Sequence, residues 1–280
     1  MKAQKIIFGC LSVLALTGCN FKANENFILG LGGENVPVGQ YASKILEYYG
    51  LDEQALAQKG VISYGEDVKA VTTQVKQGLV SAGIIYATDA KSANLKVVDT
   101  ATKEMCGQVI YPAACIANST GKLDAAKSFL AYLTTDEAMN IFEGVGFSKV
   151  GDAQTVPAQV TADVTLNVYA AASMTETMNQ IETIYERAHT NVDLVMNYGS
   201  SGKLQTQIEE GPDLCDVFIS AGAKQMNALE NHEGGSLIVS TTRINLLENK
   251  VALSVPDNNP AKLKSFEDLK VKLQSYLDKE

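Results

Sequence analysis

Four short stretches of the sequence place small residues or hydroxyl groups where a strand-like or loop segment runs into a helical pattern. They are residues 170–173 (AAAS), 199–202 (GSSG), 36–39 (VPVG) and 65–68 (GEDV). The first backbone N–H groups of a helix have no partner within the helix, and they lie at the positive end of its macrodipole. Small residues let an anion approach these groups, and serine hydroxyls add donors. Such stretches could bind an oxyanion with uncharged groups alone.

Each stretch also has a purely structural interpretation. Ser173 with Glu176 three residues later is a capping box, which needs no ligand. The Gly-Ser-Ser-Gly turn could be an ordinary helix N-cap. The acids of residues 65–68 suit a helix start, but they would have to point away from an anion. Composition and spacing do not show whether the four stretches converge.

Strand-like and helix-like segments alternate along almost the whole chain. The predicted strands are 27–31, 82–86, 95–98, 108–116, 166–171, 192–197, 216–220 and 250–255. The predicted helices are 40–49, 67–79, 125–133, 136–143, 174–188, 203–209, 224–230 and 265–276. This alternation predicts an α/β fold with mostly parallel sheets covered by helices. Residues 148–164 have no clear period and are interpreted as a linker.

The start of the chain has the pattern of a bacterial lipoprotein signal peptide. Lys2 and Lys5 precede an apolar stretch, 6–16, which is too short to span a bilayer. Residues 16–19 (LTGC) match a lipoprotein cleavage box. We therefore predict that residues 1–18 are removed, and that lipid on Cys19 holds the protein at the extracytoplasmic face of the membrane.

Composition and the remaining reactive side chains narrow the function. The net charge of −9 argues against nucleic acid as a partner. The later cysteines, Cys106, Cys115 and Cys215, are odd in number and lack metal-ligand spacing, so they do not indicate a disulfide framework. Cys115 and Cys215 lie in or beside apolar strand-like segments and are interpreted as buried hydrophobic side chains. His189 and His232 have no nucleophile or metal-ligand partner at useful spacing, so we predict no catalytic residues.

Longer motifs around the four stretches resemble the periplasmic molybdate-binding proteins of ABC importers. Residues 168–176 (VYAAASMTE), 197–202 (NYGSSG), 216–221 (DVFISA), 240–243 (STTR), 249–256 (NKVALSVP) and 265–269 (SFEDL) are similar, in this order, to the family's N-terminal half. Residues 35–42 (NVPVGQYA), 82–90 (AGIIYATDA), 111–112 (YP) and 146–147 (GF) are similar to its C-terminal half. The chain thus resembles a circularly permuted member, in which residues 148–164 join the family's usual ends.

The resemblance implies a two-lobed fold of the type II periplasmic-binding-protein class, with hinge strands between two α/β lobes. Each lobe would hold a mixed, mostly parallel sheet flanked by helices. Residues 25–96 with 251–280 would form one lobe. Residues 97–250, including the linker 148–164, would form the other. A circular permutation is plausible because domain ends often lie close together and a cut in an exposed connection is tolerated.

The resemblance also implies a ligand and its donors. Molybdate or tungstate would be held as a tetrahedral oxyanion, without direct coordination of the metal and without a cofactor. The implied donors are the hydroxyls of Ser173, Ser201 and Tyr86 and the N–H groups of Val38 and Val68, with those of Ala172 and Ser200 as secondary candidates. A monomer would pass the ion to an ABC permease and its ATPase.

Three alternatives remain open from the sequence. The ligand could be sulfate or another tetrahedral oxyanion, because pocket size separates these ions and a sequence does not give it. The protein could be an extracytoplasmic enzyme, although no base is placed by sequence to activate Ser173 or Ser201. It could also be a sensor that reports an oxyanion to a membrane partner.

Overall fold

The computed structural model describes residues 27–118, 120–152, 154 and 161–279. The predicted signal peptide, Cys19 and part of the predicted linker lie outside these residues. The strands are β1 (Leu29–Gly32), β2 (Ile62–Gly65), β3 (Ala82–Tyr86), β4 (Lys96–Thr100), β5 (Val109–Cys115), β6 (Ser148–Lys149), β7 (Val164–Ala171), β8 (Val192–Gly199), β9 (Val217–Ile219), β10 (Ile244–Asn249) and β11 (Val251–Val255).

Helices lie between most of these strands. They are α1 (Pro37–Tyr48), α2 (Glu53–Gln58), α3 (Val68–Lys76), α4 (Ala87–Ser92), α5 (Lys103–Cys106), α6 (Leu123–Tyr132), α7 (Asp136–Val145), α8 (Thr175–Ala188), α9 (Ser201–Glu210), α10 (Ala223–Glu230) and α11 (Phe266–Leu277). Short 3-10 turns occur at Ala172–Met174, Pro212–Leu214 and Ser240–Thr242.

The strands form two mixed sheets. One has the order β2-β1-β3-β11-β4, and the other has the order β6-β10-β5-β9-β7-β8. Parallel pairing is confined to β2-β1-β3 and to β9-β7-β8, and the other neighbouring strands are antiparallel. The two-lobed α/β fold is therefore confirmed, but the prediction of mostly parallel sheets is wrong. The strands on either side of each crossing between the sheets pair antiparallel with their neighbours. They are β4 and β5, and β10 and β11.

The chain passes between the sheets twice. It leaves the five-stranded sheet after β4, reaches the other sheet at β5, and returns at Lys250 between β10 and β11. We call β1–β4, α1–α5, β11 and α11 the five-stranded lobe, and β5–β10 with α6–α10 the six-stranded lobe. The lobe boundary expected between residues 96 and 97 falls inside β4, so a division by sheets places the first crossing after Thr100.

The predicted linker is partly regular. Ser148 and Lys149 form β6 and pair with Glu248 and Leu247 of β10, so the prediction that the irregular segment starts at residue 148 is wrong. An isolated two-residue strand has too little pattern for sequence reasoning to detect. At the other end, β7 begins at Val164 as the linker closes.

Apolar side chains of both lobes form one large core, and a second, smaller apolar cluster lies within the six-stranded lobe. The strands β3 and β11 are buried along their whole length, as their unbroken apolar sequences predict. Cys115 and Cys215 are buried and free, which confirms their interpretation, and Cys106 is buried and free as well. Helix α1 packs so tightly against β1 that a Cβ atom on Gly39 would overlap the carbonyl oxygen of Gly32. Within the described ranges, no helix is both long and apolar enough to cross a membrane.

The two ends of the described chain meet on the five-stranded lobe. The N–H of Phe27 donates to Tyr276 Oη at 3.0 Å. Lys272 Nζ lies 5.9 Å from the ring centre of Phe27, and Lys59 Nζ contacts the carbonyl oxygen of Lys279. The segment that leads into β1 and the helix α11 therefore lie side by side.

Candidate anion-binding site

A short chain of hydrogen bonds links Ser201 to Tyr86. Ser201 is the first residue of α9 and is fully buried, and its Oγ accepts from the N–H of Ala221 at 2.9 Å. The carbonyl oxygen of Ala221 accepts from Tyr86 Oη at 3.3 Å. Tyr86 ends β3 in the five-stranded lobe, whereas Ser201 and Ala221 belong to the six-stranded lobe. The contact therefore crosses between the lobes.

Ser173 joins this group through a ladder of aromatic rings. The ring of Tyr86 packs edge-on against that of Tyr111, with 5.6 Å between ring centres. Tyr111 Oη lies 2.9 Å from Ser173 Oγ. Tyr86 and Tyr111 are essentially inaccessible to solvent, and Ser173 is 5% exposed. With Ser201, four hydroxyl-bearing side chains thus lie at one buried junction.

The start of α1 meets the start of α9 across the same junction. A Cβ atom on Gly202 would overlap the carbonyl oxygen of Asn35, so only glycine permits this approach of the two backbones. A Cβ atom on Gly222, next to Ala221, would lie 3.2 Å from Pro37 Cβ. Val38 is the second residue of α1 and is fully buried, and its N–H belongs to the unpaired first turn.

The start of α3 meets the 3-10 turn Ala172–Met174. Asp67 caps α3 by accepting from the N–H of Ala70 at 2.8 Å, and Val68 is the first helical residue. The capping carboxylate serves the third helical residue, so the N–H of Val68 remains among the unpaired donors of the first turn. Helix α3 packs against the turn that carries Ser173. The fourth stretch therefore also reaches the junction.

The structural alternatives considered for the serines divide in two. The capping box of Ser173 and Glu176 is not formed: α8 begins only at Thr175, and Ser173 Oγ contacts Tyr111 instead. Ser200 is an ordinary N-cap, since its Oγ accepts from the N–H of Lys203 at 3.4 Å. Because Ser200 caps the helix, Ser201 Oγ is not needed as the N-cap acceptor. Ala172 is buried beside Ser173.

A charged cluster lies beside α3. Lys69 Nζ is 2.6 Å from Glu176 Oε2 on the other lobe and 3.1 Å from Asp89 Oδ1 on its own lobe. Burial lowers the pKa of Lys69, but the two carboxylates outweigh this effect and the net pKa is raised. Burial also raises the pKa of Asp89 to about 6, although Lys69 opposes the shift. The Lys69 charge is already compensated and is not free for a ligand.

The tyrosines of the junction remain protonated at any physiological pH. Burial raises the pKa of Tyr86 well above its ordinary value, and the neighbouring Tyr111 and Tyr41 add to the shift. Burial likewise raises the pKa of Tyr111, with a further contribution from Asp89. Their hydroxyls are therefore neutral groups that can donate hydrogen bonds.

The structure thus brings the predicted residues to one region from both lobes. Sequence reasoning missed three further members: Tyr111, Ala221 and Asn249. Tyr111 and Asn249 stand within motifs that carried the family resemblance, and Ala221 ends another, but each was used only as a marker of similarity.

His189 is not among the residues of the junction. It stacks on Tyr185, with ring centres 4.1 Å apart, and packs near Tyr132.

Comparisons with known proteins agree with this architecture. The family model of the bacterial extracellular solute-binding proteins matches residues 20–148 and 166–273. YvgL of Bacillus subtilis (strain 168), assigned as an ABC transporter substrate-binding lipoprotein, is 35% identical over 130 residues, covering 46% of this chain and 48% of YvgL. The molybdate-binding protein ModA of Haemophilus influenzae is 31% identical over 115 residues, covering 41% of this chain and 43% of ModA.

The matches to both relatives span less than half of their lengths. Among solved structures, a phosphate-binding protein of a phosphate ABC transporter from Streptococcus pneumoniae TIGR4 is similar in fold. It has a TM-score of 0.52 and 11% identity, with 89% of this chain and 96% of that chain covered. The predicted resemblance to molybdate-binding proteins is confirmed by the match to ModA. Since the family model matches most of the sequence in two segments, the chain belongs to the family of bacterial extracellular solute-binding proteins.

Proposed function

We propose that this protein captures molybdate or tungstate outside the cytoplasm and delivers it to an ABC permease driven by an ATPase. The observation that carries the proposal is the junction of two buried serine hydroxyls, two buried tyrosines and the starts of four helical segments. Its donors are Ser173, Ser201, Tyr86 and the N–H groups of Val38 and Val68. The similarity to ModA supports molybdate as the ion.

The donor set suits a fully deprotonated oxyanion. Every proposed donor carries a proton and no charge, and the nearby Lys69 is paired with Asp89 and Glu176. Tyr86 Oη donates to the carbonyl oxygen of Ala221 at 3.3 Å, so its proton would have to turn from this carbonyl to the anion. A protonated oxyanion would need an acceptor for its own O–H, which these donors do not offer. Molybdate, tungstate and sulfate are dianions at neutral pH, whereas phosphate is partly protonated. Phosphate is therefore disfavoured.

The acidity of the chain does not prevent anion binding. The net charge of −9 is spread over the surface, and salt screens charges beyond about 8 Å at physiological ionic strength. Several charge-assisted hydrogen bonds contribute roughly 1.5–3 kcal/mol each. Local donors therefore outweigh the distant repulsion.

Calorimetric titration tests the proposal directly. The purified protein is titrated with molybdate, tungstate, sulfate and phosphate at neutral pH. We expect tight binding of molybdate and tungstate and much weaker binding of phosphate. Tight sulfate binding without molybdate binding would assign the protein to a sulfate importer instead, and binding of none of the four ions would contradict the proposal.

We also propose that the two halves of the fold are circularly permuted. The contact of Phe27 with Tyr276 supports this order, because family members would continue directly from the segment near residue 269 to that near 27. Rejoining these ends and opening the chain between 149 and 164 gives the unpermuted order. Retained molybdate binding by this rearranged chain supports the permutation, and loss of folding contradicts it.

The membrane anchor is a separate proposal. Cys19 lies outside the described residues, and its motif is the basis for lipidation. Metabolic labelling with a radioactive fatty acid should label the wild type, and Cys19→Ser should abolish the label and release the protein from membranes. We further propose that the protein acts as a monomer, which sedimentation equilibrium measures.

A further inference from the structure

Asn249 connects the crossing between the lobes to the candidate site. It is the last residue of β10, it is 3% exposed, and its Oδ1 accepts from the N–H of Lys250 at 2.8 Å. Its Nδ2 donates to Thr88 Oγ1 at 2.9 Å and to Tyr111 Oη at 3.1 Å. The backbone N–H of Lys250 fixes the orientation of the amide, because a flipped amide would place its NH2 group against this N–H, with two donors facing each other.

This orientation determines where the proton of Tyr111 lies. An amide nitrogen donates and does not accept, so Tyr111 Oη must accept from Asn249. The single hydroxyl proton of Tyr111 is then available for Ser173 Oγ, 2.9 Å away. Once Ser173 Oγ accepts that proton, its own proton can point away from Tyr111. Tyr111 Oη can accept a second hydrogen bond, so the geometry allows either hydroxyl to donate. Donation by Tyr111 gives its buried proton an acceptor, and we therefore assign the hydrogen bonds one direction, from Asn249 through Tyr111 to Ser173.

Ser201 is polarised in the same sense by a different group. The N–H of Ala221 donates to Ser201 Oγ at 2.9 Å. A backbone N–H cannot reverse its role, so Ser201 retains its own proton for another acceptor. Both serines therefore have an oxygen that accepts from within the protein and a proton that is free to be donated.

We propose that Asn249 and Tyr111 are positioning residues that hold the Ser173 hydroxyl as a hydrogen-bond donor, and that this polarity makes the site select deprotonated over protonated oxyanions. The inference rests on the proposed function and deepens it by naming the determinant of selectivity. A freely rotating serine hydroxyl could present either its proton or a lone pair, and so could accept from a protonated anion. The relay removes that choice at Ser173.

Tyr111→Phe tests the relay with little change in packing. The variant keeps the ring that packs on Tyr86 and Phe147 and removes only the hydroxyl. Affinities for molybdate and inorganic phosphate are measured by calorimetry between pH 6 and pH 8. We expect molybdate affinity to fall by about 10-fold and the preference for molybdate over phosphate to narrow, most strongly at low pH, where phosphate is more protonated.

Asn249→Ala provides a second variant with the same expected change in preference, since it removes the donor that orients Tyr111. Tyr41→Phe is the matched control, because Tyr41 packs beside Tyr86 at 6.5 Å between ring centres and lies outside the relay. Circular dichroism verifies that each variant is folded. The control should keep the wild-type preference.

The outcomes separate the relay from the proposed function. A narrowed preference in a folded Tyr111→Phe or Asn249→Ala protein supports the relay. Equal weakening of both anions at every pH, or no change, overturns it while molybdate binding by the wild type still stands. A wild-type protein that binds no molybdate overturns the proposed function and the relay together.

Discussion

In the proposed site, the two lobes contribute different sets of donors. The five-stranded lobe provides backbone N–H groups at the starts of α1 and α3, together with the hydroxyl of Tyr86. The six-stranded lobe provides the serine hydroxyls of Ser173 and Ser201. A helix fixes the direction of its own first N–H groups, whereas a serine hydroxyl rotates and needs a neighbour to orient it. Each serine has such a neighbour, Tyr111 or Ala221.

This difference has a consequence for how sequence changes act on the site. A backbone donor survives most substitutions at its own position, so the N–H of Val38 does not depend on the identity of its side chain. A hydroxyl donor depends on its own residue and on the residue that orients it. The six-stranded lobe should therefore be the more sensitive of the two to mutation.

The largest expected effect is on affinity in the six-stranded lobe. Ser173→Ala combined with Ser201→Ala should weaken molybdate binding by roughly 2–5 kcal/mol, because two charge-assisted hydrogen bonds are lost. Ser200→Ala is the matched control, since its side chain caps α9 and should affect stability more than affinity. Calorimetry measures the affinity and thermal unfolding measures the fold. An unchanged affinity in the folded double variant would show that the site lies elsewhere.

The second prediction concerns two buried aspartates, one in each lobe. Asp216 accepts from the N–H of Asn167 and from Thr120 Oγ1 and has Lys122 as its ionic partner, whereas Asp89 is paired with Lys69. Because the pKa of Asp89 is raised above its ordinary value to about 6, its contribution to stability is complete at low pH and is lost as the pH rises through about 6. The loss should reach up to about 3 kcal/mol.

Urea unfolding of the wild type and Asp89→Asn at pH 4 and pH 7 measures this loss. The free energy of unfolding of the wild type, relative to the variant, should fall between the two pH values. A relative stability that is the same at both would mean that Asp89 does not titrate in this window.

The third prediction isolates a backbone donor in the five-stranded lobe. Val68 is the first residue of α3 and follows Asp67, whose backbone is extended at φ −153° and ψ 178°. Proline is tolerated at such a position, so Val68→Pro removes the N–H with little strain. We expect about 1.5–3 kcal/mol weaker binding of molybdate.

Val68→Ala is the control for this donor. It retains the N–H and truncates a buried side chain, so it should lower stability and leave affinity nearly unchanged. Calorimetry and thermal unfolding of both variants separate the two effects. If Val68→Ala weakens binding as much as Val68→Pro, side-chain packing rather than the N–H explains the effect.

The smallest expected effect is on the ion pair that joins the lobes. Glu176→Gln should weaken molybdate binding by less than about 1 kcal/mol, because the pair is partly exposed to solvent. The difference from the wild type should shrink as salt is raised. Titrations at low and high ionic strength measure it. A difference that persists unchanged in high salt would argue against a role for the charge of Glu176.

Much of the fold follows from local patterns. The strand Ala82–Tyr86 is observed with its predicted bounds, and the starts of α3 and α8 lie within one residue of prediction. By contrast, β2 and β10 were missed. The sequence of β10 (INLLEN) mixes polar and apolar residues, and its place is set by pairing with β5 and β6.

The proposed donors of the site could be predicted from the sequence, but the residues that orient them could not. Small residues and serines at helix starts are visible in the sequence, as is the motif that contains Tyr86. The contact of Tyr111 with Ser173 joins residues 62 positions apart, and that of Ser201 with Ala221 depends on how α9 and β9 pack. Such pairs arise from tertiary packing, so no local period or spacing reveals them.

Gly202 approaches Asn35 of the other lobe so closely that only its lack of a side chain lets the two lobes come this near. A Cβ methyl group at residue 202 would overlap the backbone of Asn35 and would hold the starts of α1 and α9 farther apart. Ion retention would then suffer although every donor was still present. We therefore expect a substitution at residue 202 to change how long the ion is held more than which ion is held.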